Sequence, residues 1–173
     1  MDDIVDGIHR EITDFLARLG QKTLSSAESK EEVRLLGISH HLERLGDIVN
    51  GEFLYVSKKV IDSDLSFSYT GFHEMEEMHE IICRNLEIVE SAFKSGELSA
   101  LEEVIKSGVR FRNLLRESYV SHIDRMHKGL SESFETREIH FHILLSLESM
   151  NAQVVKIAEL LGKGGSEDKN VRY

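Results

Sequence analysis

The chain has 173 residues, 30% of them charged and 40% apolar, with a formal net charge of −10, no proline, no tryptophan and one cysteine. That charge excludes nucleic acid as the main partner, because phosphate neutralisation needs clustered Lys and Arg, and it disfavours an anionic membrane surface. A lone Cys83 excludes a disulfide framework and suits a reducing compartment. No apolar run approaches the ~20 residues of a membrane span, so no direct membrane insertion is expected. The acidic, immediately amphipathic N-terminus does not read as a signal peptide.

The absence of proline suits long uninterrupted helices, and the apolar periodicity predicts five. The first spans about Asp2 to Leu19, with Ile4, Ile8, Ile12, Phe15 and Leu19 on one side and Gly20 as its stop. The second begins near Ser26–Ser29, where Ser29-Lys30-Glu31-Glu32 has the form of a capping box. It continues to about Ile61 with a seam of Leu35, Ile38, Leu42, Leu45, Val49 and Val56. A polar loop at Asp62–Thr70 precedes a third helix from about Gly71 to Lys94, with Met75, Met78, Ile82, Leu86, Val89 and Phe93 inward. Cys83 reads as a small core residue of that helix. The fourth runs from about Leu98 to His127 and ends at Gly129. The fifth runs from about Glu132 to Leu161, with Leu144, Leu147, Val154, Ala158 and Leu161 inward. The fold class is all-α, an antiparallel bundle of these helices. The helical domain is expected over 1–163, with a disordered tail at 164–173.

On the second helix, Glu43 and Asp47 stand one turn apart on one face, where like charges repel by a few tenths of a kcal/mol. Both project away from the apolar seam. On the first helix Asp2 and Asp6 repeat the spacing, also off the apolar side, with His9 on the same flank. If the two helices pack antiparallel, four carboxylates face a shared surface. Hard oxygen ligands of this kind suit iron, manganese, magnesium or calcium. A solvated acidic face is the alternative. Other spacings carry less. Glu76-Glu77-Met78-His79 contains one Glu-x-x-His, and a ferritin-like di-iron bundle needs two; Asp6/His9 and Asp124/His127 are only approximate versions. His40 and His41 are adjacent, and His140 and His142 are two apart, so neither pair converges from one helix. His122 and His127 lie near Arg125 and Lys128, where cations complement a helix C-terminus. No nucleophile motif or phosphate-cradling loop is present, and no enzymatic activity is expected.

The run Leu42-Glu43-Arg44-Leu45-Gly46-Asp47 resembles the Leu-Glu-Arg-Ile-Gly-Asp signature of PhoU proteins, regulators of phosphate uptake. More of the chain is similar to one branch, the cytoplasmic C-terminal domain of bacterial sodium/phosphate cotransporter-type proteins. Asp6-Gly7-Ile8 with Glu11-Ile12 and Phe15-Leu16, Asn113-Leu114-Leu115, Ser121-His122-Ile123-Asp124-Arg125, and Leu144-Leu145-Ser146-Leu147-Glu148-Ser149-Met150-Asn151 follow in the order of that pattern. Leu42–Val49 also aligns with Leu147–Val154, 105 positions later, as a weak internal repeat.

The resemblance implies tandem three-helix repeats, the first incomplete at about 1–62 and the second at about 70–163. It implies paired acidic residues that bind metal: Asp2, Asp6, Glu43 and Asp47 for the first site, and Asn113 with Glu148 for a second. The second departs from the pattern, with Val109 and Ala152 where carboxylates would stand and Ser149 in the place of Arg44, which implies a degenerate site. The implied role is regulatory, through metal-dependent helix packing and contact with a membrane transporter domain in cis or in trans, at the cytoplasmic face of the membrane. An incomplete first repeat should expose apolar surface and favour self-association. The alternatives are a metal-independent helical interaction module and a ferritin-like di-iron protein.

Overall fold

A computed structural model of the chain describes residues 2–167, with side chains for 3–163. The elements are α1 (Asp2–Gly20), α2 (Ser26–Asp47), a π-helical segment (Ile48–Phe53), α3 (Leu54–Asp62), α4 (Tyr69–Ser95), α5 (Leu101–His127), α6 (Ser131–Glu135) and α7 (Arg137–Glu167), with no strand among the described residues. The all-α bundle anticipated from the periodicity is therefore present. Residues 168–173, which take in most of the tail expected to be disordered, lie outside the described residues. The α7 helix runs on past Gly162 to Glu167.

Local chemistry sets the ends. Ser25 is extended (φ −69°, ψ 163°) and forms a reciprocal capping box with Glu28. The Glu28 N–H donates to Ser25 Oγ at 3.3 Å, and the Ser25 N–H donates to Glu28 Oε2 at 2.8 Å. This is one turn earlier than the box expected at Ser29–Glu32, because the Ser29 N–H already donates to the Ser25 carbonyl at 3.0 Å inside the helix. Gly96 (φ 73°) ends α4 in the left-handed conformation that favours glycine, and Gly129 (φ 78°) serves the turn after α5. The expected fifth helix is split: Thr136 breaks it into α6 and α7, its hydroxyl donating to the Glu132 carbonyl at 2.6 Å.

The core lies among α4, α5 and α7, with α2 laid along α7 and α1 packed on α2. On α5 the buried positions are Leu101, Val104, Gly108, Phe111, Leu115, Ser118, His122 and Arg125, spaced alternately three and four. One stripe thus runs from apolar residues into polar ones without changing face.

The π segment changes the register of the second helix. Ile48 and Val56 are both buried, at 0% and 3% exposure. Eight residues of ideal α-helix advance by about 800°, leaving them about 80° apart; a π turn absorbs one residue and cuts the offset to about 20°. For the same reason Val49, expected in the seam, is 47% exposed, and Ile48 takes its place. Two further expectations change. Cys83 is exposed, its Sγ 3.5 Å from His79 Nε2. Phe93, expected inward, is exposed. The apolar side of α1 is largely open: Ile4, Ile8 and Phe15 are exposed, and among the described residues of this helix only Leu16 is buried.

Candidate metal centre

Helices α1 and α2 present two facing ladders. From α2 come His40, Glu43 and Asp47, spaced three and four; from α1 come Asp6 and His9, spaced three. Asp6, Glu43 and Asp47 converge, with one carboxylate oxygen of each within 4.8 Å of the others. All three are partly buried between the helices. Asp2 opens α1, and its side chain lies outside the described residues. His9, His40 and Glu43 form a second group within the same 4.8 Å, so Glu43 belongs to both.

Neighbouring groups orient this surface. Arg44 Nη1 lies 3.7 Å from Asp47 Oδ2 and Nη2 lies 3.5 Å from Glu52 Oε1, so one guanidinium bridges the end of α2 and the π segment. Ser146 on α7 donates to Glu52 Oε2 at 3.3 Å. His9 Nδ1 shares a 2.8 Å hydrogen bond with the buried hydroxyl of Ser39. His41 turns the other way, donating from Nδ1 to Gln153 Oε1 on α7 at 2.7 Å. Adjacent histidines thus serve different neighbours, as helical geometry requires. The site closes at its C-terminal side on the π segment, a feature frequent at functional sites.

Two ligands of one ion, each at about 2.0–2.2 Å, stand at most about 4.4 Å apart. The three carboxylates lie within 4.8 Å of one another, so side-chain rotation that draws them together would let this all-oxygen set hold a hard cation. The second predicted pair is not assembled in this way. Asn113 is exposed on α5; Glu148 on α7 is partly buried near Tyr119 and belongs to no cluster of three ligating groups among the described residues. Burial, and then the Glu148 charge, push the Tyr119 phenol above its ordinary value. Glu76 and His79 do not converge either: Glu76 pairs with His73 at 2.9 Å, and His79 meets Cys83.

A second polar constellation, which the sequence reading passed over, sits where α4, α5 and α7 meet. Arg125 donates from Nη1 and Nη2 to the two oxygens of Glu74 at 3.0 and 3.1 Å. Ser118 donates to Glu74 Oε2 at 2.9 Å, and Arg125 Nη1 also donates to Ser121 Oγ at 2.6 Å. The rings of His122 and His140, 0% and 1% exposed, pack alongside with centroids 4.2 Å apart and planes tilted by 44°. Burial raises the Glu74 carboxyl, but the bonds from Arg125, Ser121 and Ser118 outweigh it and hold Glu74 below the usual carboxylate range. Burial first, then the neighbouring His122 and Arg125, pushes His140 down to about 4. His122 is lowered as well, by burial and then by Arg125. His122 therefore lies on the buried stripe and is no exposed cation complementing a helix end. The signal was in the sequence: Phe111, Leu115, Ser118, His122 and Arg125 continue one 4-3-4-3 spacing.

Comparisons with known proteins agree on one kind of relative. The chain is 27% identical over 167 residues to "Putative inorganic phosphate export protein YjbB" of Escherichia coli O157:H7 and to its counterpart in strain K12, covering 96% of this chain and 31% of each relative. The protein of the same name in Salmonella typhimurium is 26% identical over 156 residues, covering 90% of this chain and 29% of that one. The chain thus spans about a third of the length of the curated relatives it matches. No family model matches it, and no solved structure matches it significantly.

Proposed function

We propose that this chain is a PhoU-like regulatory domain of a phosphate transport system, acting by metal-dependent helix packing and protein contact, without catalysis. The observation that carries the reading is the convergence of Asp6, Glu43 and Asp47 from two helices. The names of the relatives support the association with phosphate transport and give its direction as export. A cation held by these carboxylates, with Asp2 as a further donor, removes their repulsion and ties α1 to α2. Iron, manganese, magnesium and calcium all suit the oxygen set.

Among the described residues no helix is long and apolar enough to cross a membrane. The partner in this reading is a membrane transport unit, in cis or in trans, met at the cytoplasmic face. The surface offered to it, or to a second copy of the chain, is a groove of about 600 Å³ lined by Ile8, Ile12, Phe15, Leu42, Leu86 and Phe93. Two of its walls, α1 and α2, are the helices the cation would tie, so metal occupancy sets the shape of the docking face.

One observation favours a metal-independent interaction module. Arg44 already lies 3.7 Å from Asp47 and offsets part of the repulsion by itself. Metal analysis of protein purified without chelator, compared with Glu43→Gln/Asp47→Asn, separates the two. Bound metal in the wild type, lost in the variant, is expected. Saturation at a hundredfold excess over Kd should add about 2.7 kcal/mol of stability. A wild type that carries no metal, and whose unfolding ignores added manganese, iron, magnesium and calcium, would leave the interaction module alone standing.

A further inference from the structure

The polar end of the α5 stripe is costly to bury. Ser118 and Arg125 are 2% and 7% exposed, and the rings of His122 and His140 pack beside them, fully enclosed. An apolar stripe would fill the same space with no ion pair to desolvate, so stability alone does not explain these residues. Nor are their donors all used. The two oxygens of Glu74 receive Arg125 Nη1, Arg125 Nη2 and the Ser118 hydroxyl. Among the described residues, Arg125 Nε, both ring nitrogens of His122 and Nε2 of His140 have no hydrogen-bond partner. Buried polar atoms are nearly always paired, so orphans gathered in one cluster point to an acceptor that a carboxylate does not supply.

The first turn of α4 closes over the same cluster. It is the positive end of a 27-residue helix and carries no acidic residue. Gly71 brings it close, since a Cβ there would lie 3.0 Å from His140 Cε1 and 3.1 Å from Arg125 Nη2. Glu74 stands on the solvent side of this cradle, its side chain 22% exposed against 8% for Arg125. We propose that Arg125, Ser118, Ser121 and the His122–His140 pair form an oxyanion site for inorganic phosphate, and that Glu74 is the tethered plug that occupies it. The guanidinium fork matches two oxygens of a tetrahedral oxyanion as well as it matches those of a carboxylate. Phosphate brings two further oxygens, and these meet the serine hydroxyls and the N–H that each neutral ring carries. The burial of the cradle admits a small free ion and excludes a phosphate group carried on a protein or a lipid. As phosphate enters, Glu74 turns outward, and the link it makes between α4 and α5 is released.

Isothermal titration with inorganic phosphate tests the site, in chelator and at an ionic strength fixed with chloride, so that ions in the α1–α2 seam play no part. A plug that leaves the cradle open in about a tenth of the molecules weakens apparent binding about tenfold. Glu74→Gln should therefore bind phosphate about tenfold more tightly than the wild type. Glu74→Asp, which shortens the plug by one methylene and keeps its charge, should move the affinity in the same direction. Adding Ser118→Ala and Ser121→Ala to Glu74→Gln should abolish the gain. Circular dichroism melts establish that each variant is folded before titration. A folded Glu74→Gln or Glu74→Asp that binds phosphate no more tightly than the wild type overturns the site. So does a gain that survives undiminished in Glu74→Gln/Ser118→Ala/Ser121→Ala. Either result leaves the carboxylate reading of the α1–α2 seam untouched.

Discussion

Acid should loosen this bundle well above the range in which ordinary carboxylates titrate, and His140 is the reason. The ring is 1% exposed, packed on His122 and close to the Arg125 guanidinium, and burial foremost pushes it down to about 4. In the unfolded chain the same ring titrates near 6.5. The native state therefore favours the neutral ring, and the unfolded state takes up the proton first. The contribution to stability is complete above pH 6.5, falls as the pH drops from there towards about 4, and then levels off. Between pH 7.5 and 5 the loss is about 2 kcal/mol, at about 1.4 kcal/mol per pH unit of differential proton uptake. His122 is lowered too and adds a loss of the same sign. Glu74 adds its own loss below 4.5, where the carboxylate that receives Arg125 becomes protonated. Urea unfolding followed by circular dichroism, in chelator at fixed ionic strength, reads the effect. With a slope of about 2 kcal/mol per molar, the midpoint should fall by about 1 M between pH 7.5 and 5. His140→Gln should flatten much of that fall. A wild-type midpoint that moves by less than a few tenths molar, or a variant that follows the wild type, would refute the reasoning.

Two other expectations rest on packing. A methyl group at Gly71 would sit 3.0 Å from His140 Cε1 and 3.1 Å from both Arg125 Nη2 and Ser68 Oγ, whereas one at Gly51 meets nothing within 4 Å. Gly71→Ala should therefore destabilise the protein by about 1–3 kcal/mol, while Gly51→Ala should stabilise it by about 0.5–1 kcal/mol; thermal melts of the pair check the contrast. Phe15→Ser should weaken self-association, read as a shift of the sedimentation or scattering mass towards the monomer, with little change in stability because this ring is 60% exposed. An unchanged association constant would place the contact elsewhere.

The helices were legible because a chain without proline, with apolar residues three and four apart, has few other ways to bury them. The Glu43–Asp47 pair was legible for the same reason: its spacing is a property of one helix. What escaped depends on a second helix or on hydrogen bonding. Val49 was misplaced because a π turn leaves no mark in the apolar pattern until Ile48 and Val56 are seen on one side. The spacing within one helix pairs His40 with its neighbour His41, whereas the packing of α1 on α2 brings it beside His9. Composition places a residue such as Arg125 outside; only the unbroken stripe through Ser118 and His122 marks it as interior, and its partner Glu74 is supplied by a different helix.

Helix α1 leans chiefly on one neighbour, α2, and among its described residues contributes Leu16 alone to the buried interior. It can therefore open as a separate cooperative unit, leaving α2 and the α4–α5–α7 core folded. The segment between Gly20 and Ser26 then acts as a tether, and the opening free energy of this one arm is the quantity an ion in the seam controls. In such a molecule a ligand lengthens the lifetime of a closed arm, and the effect is read most directly in the exchange rates of the α1 amides.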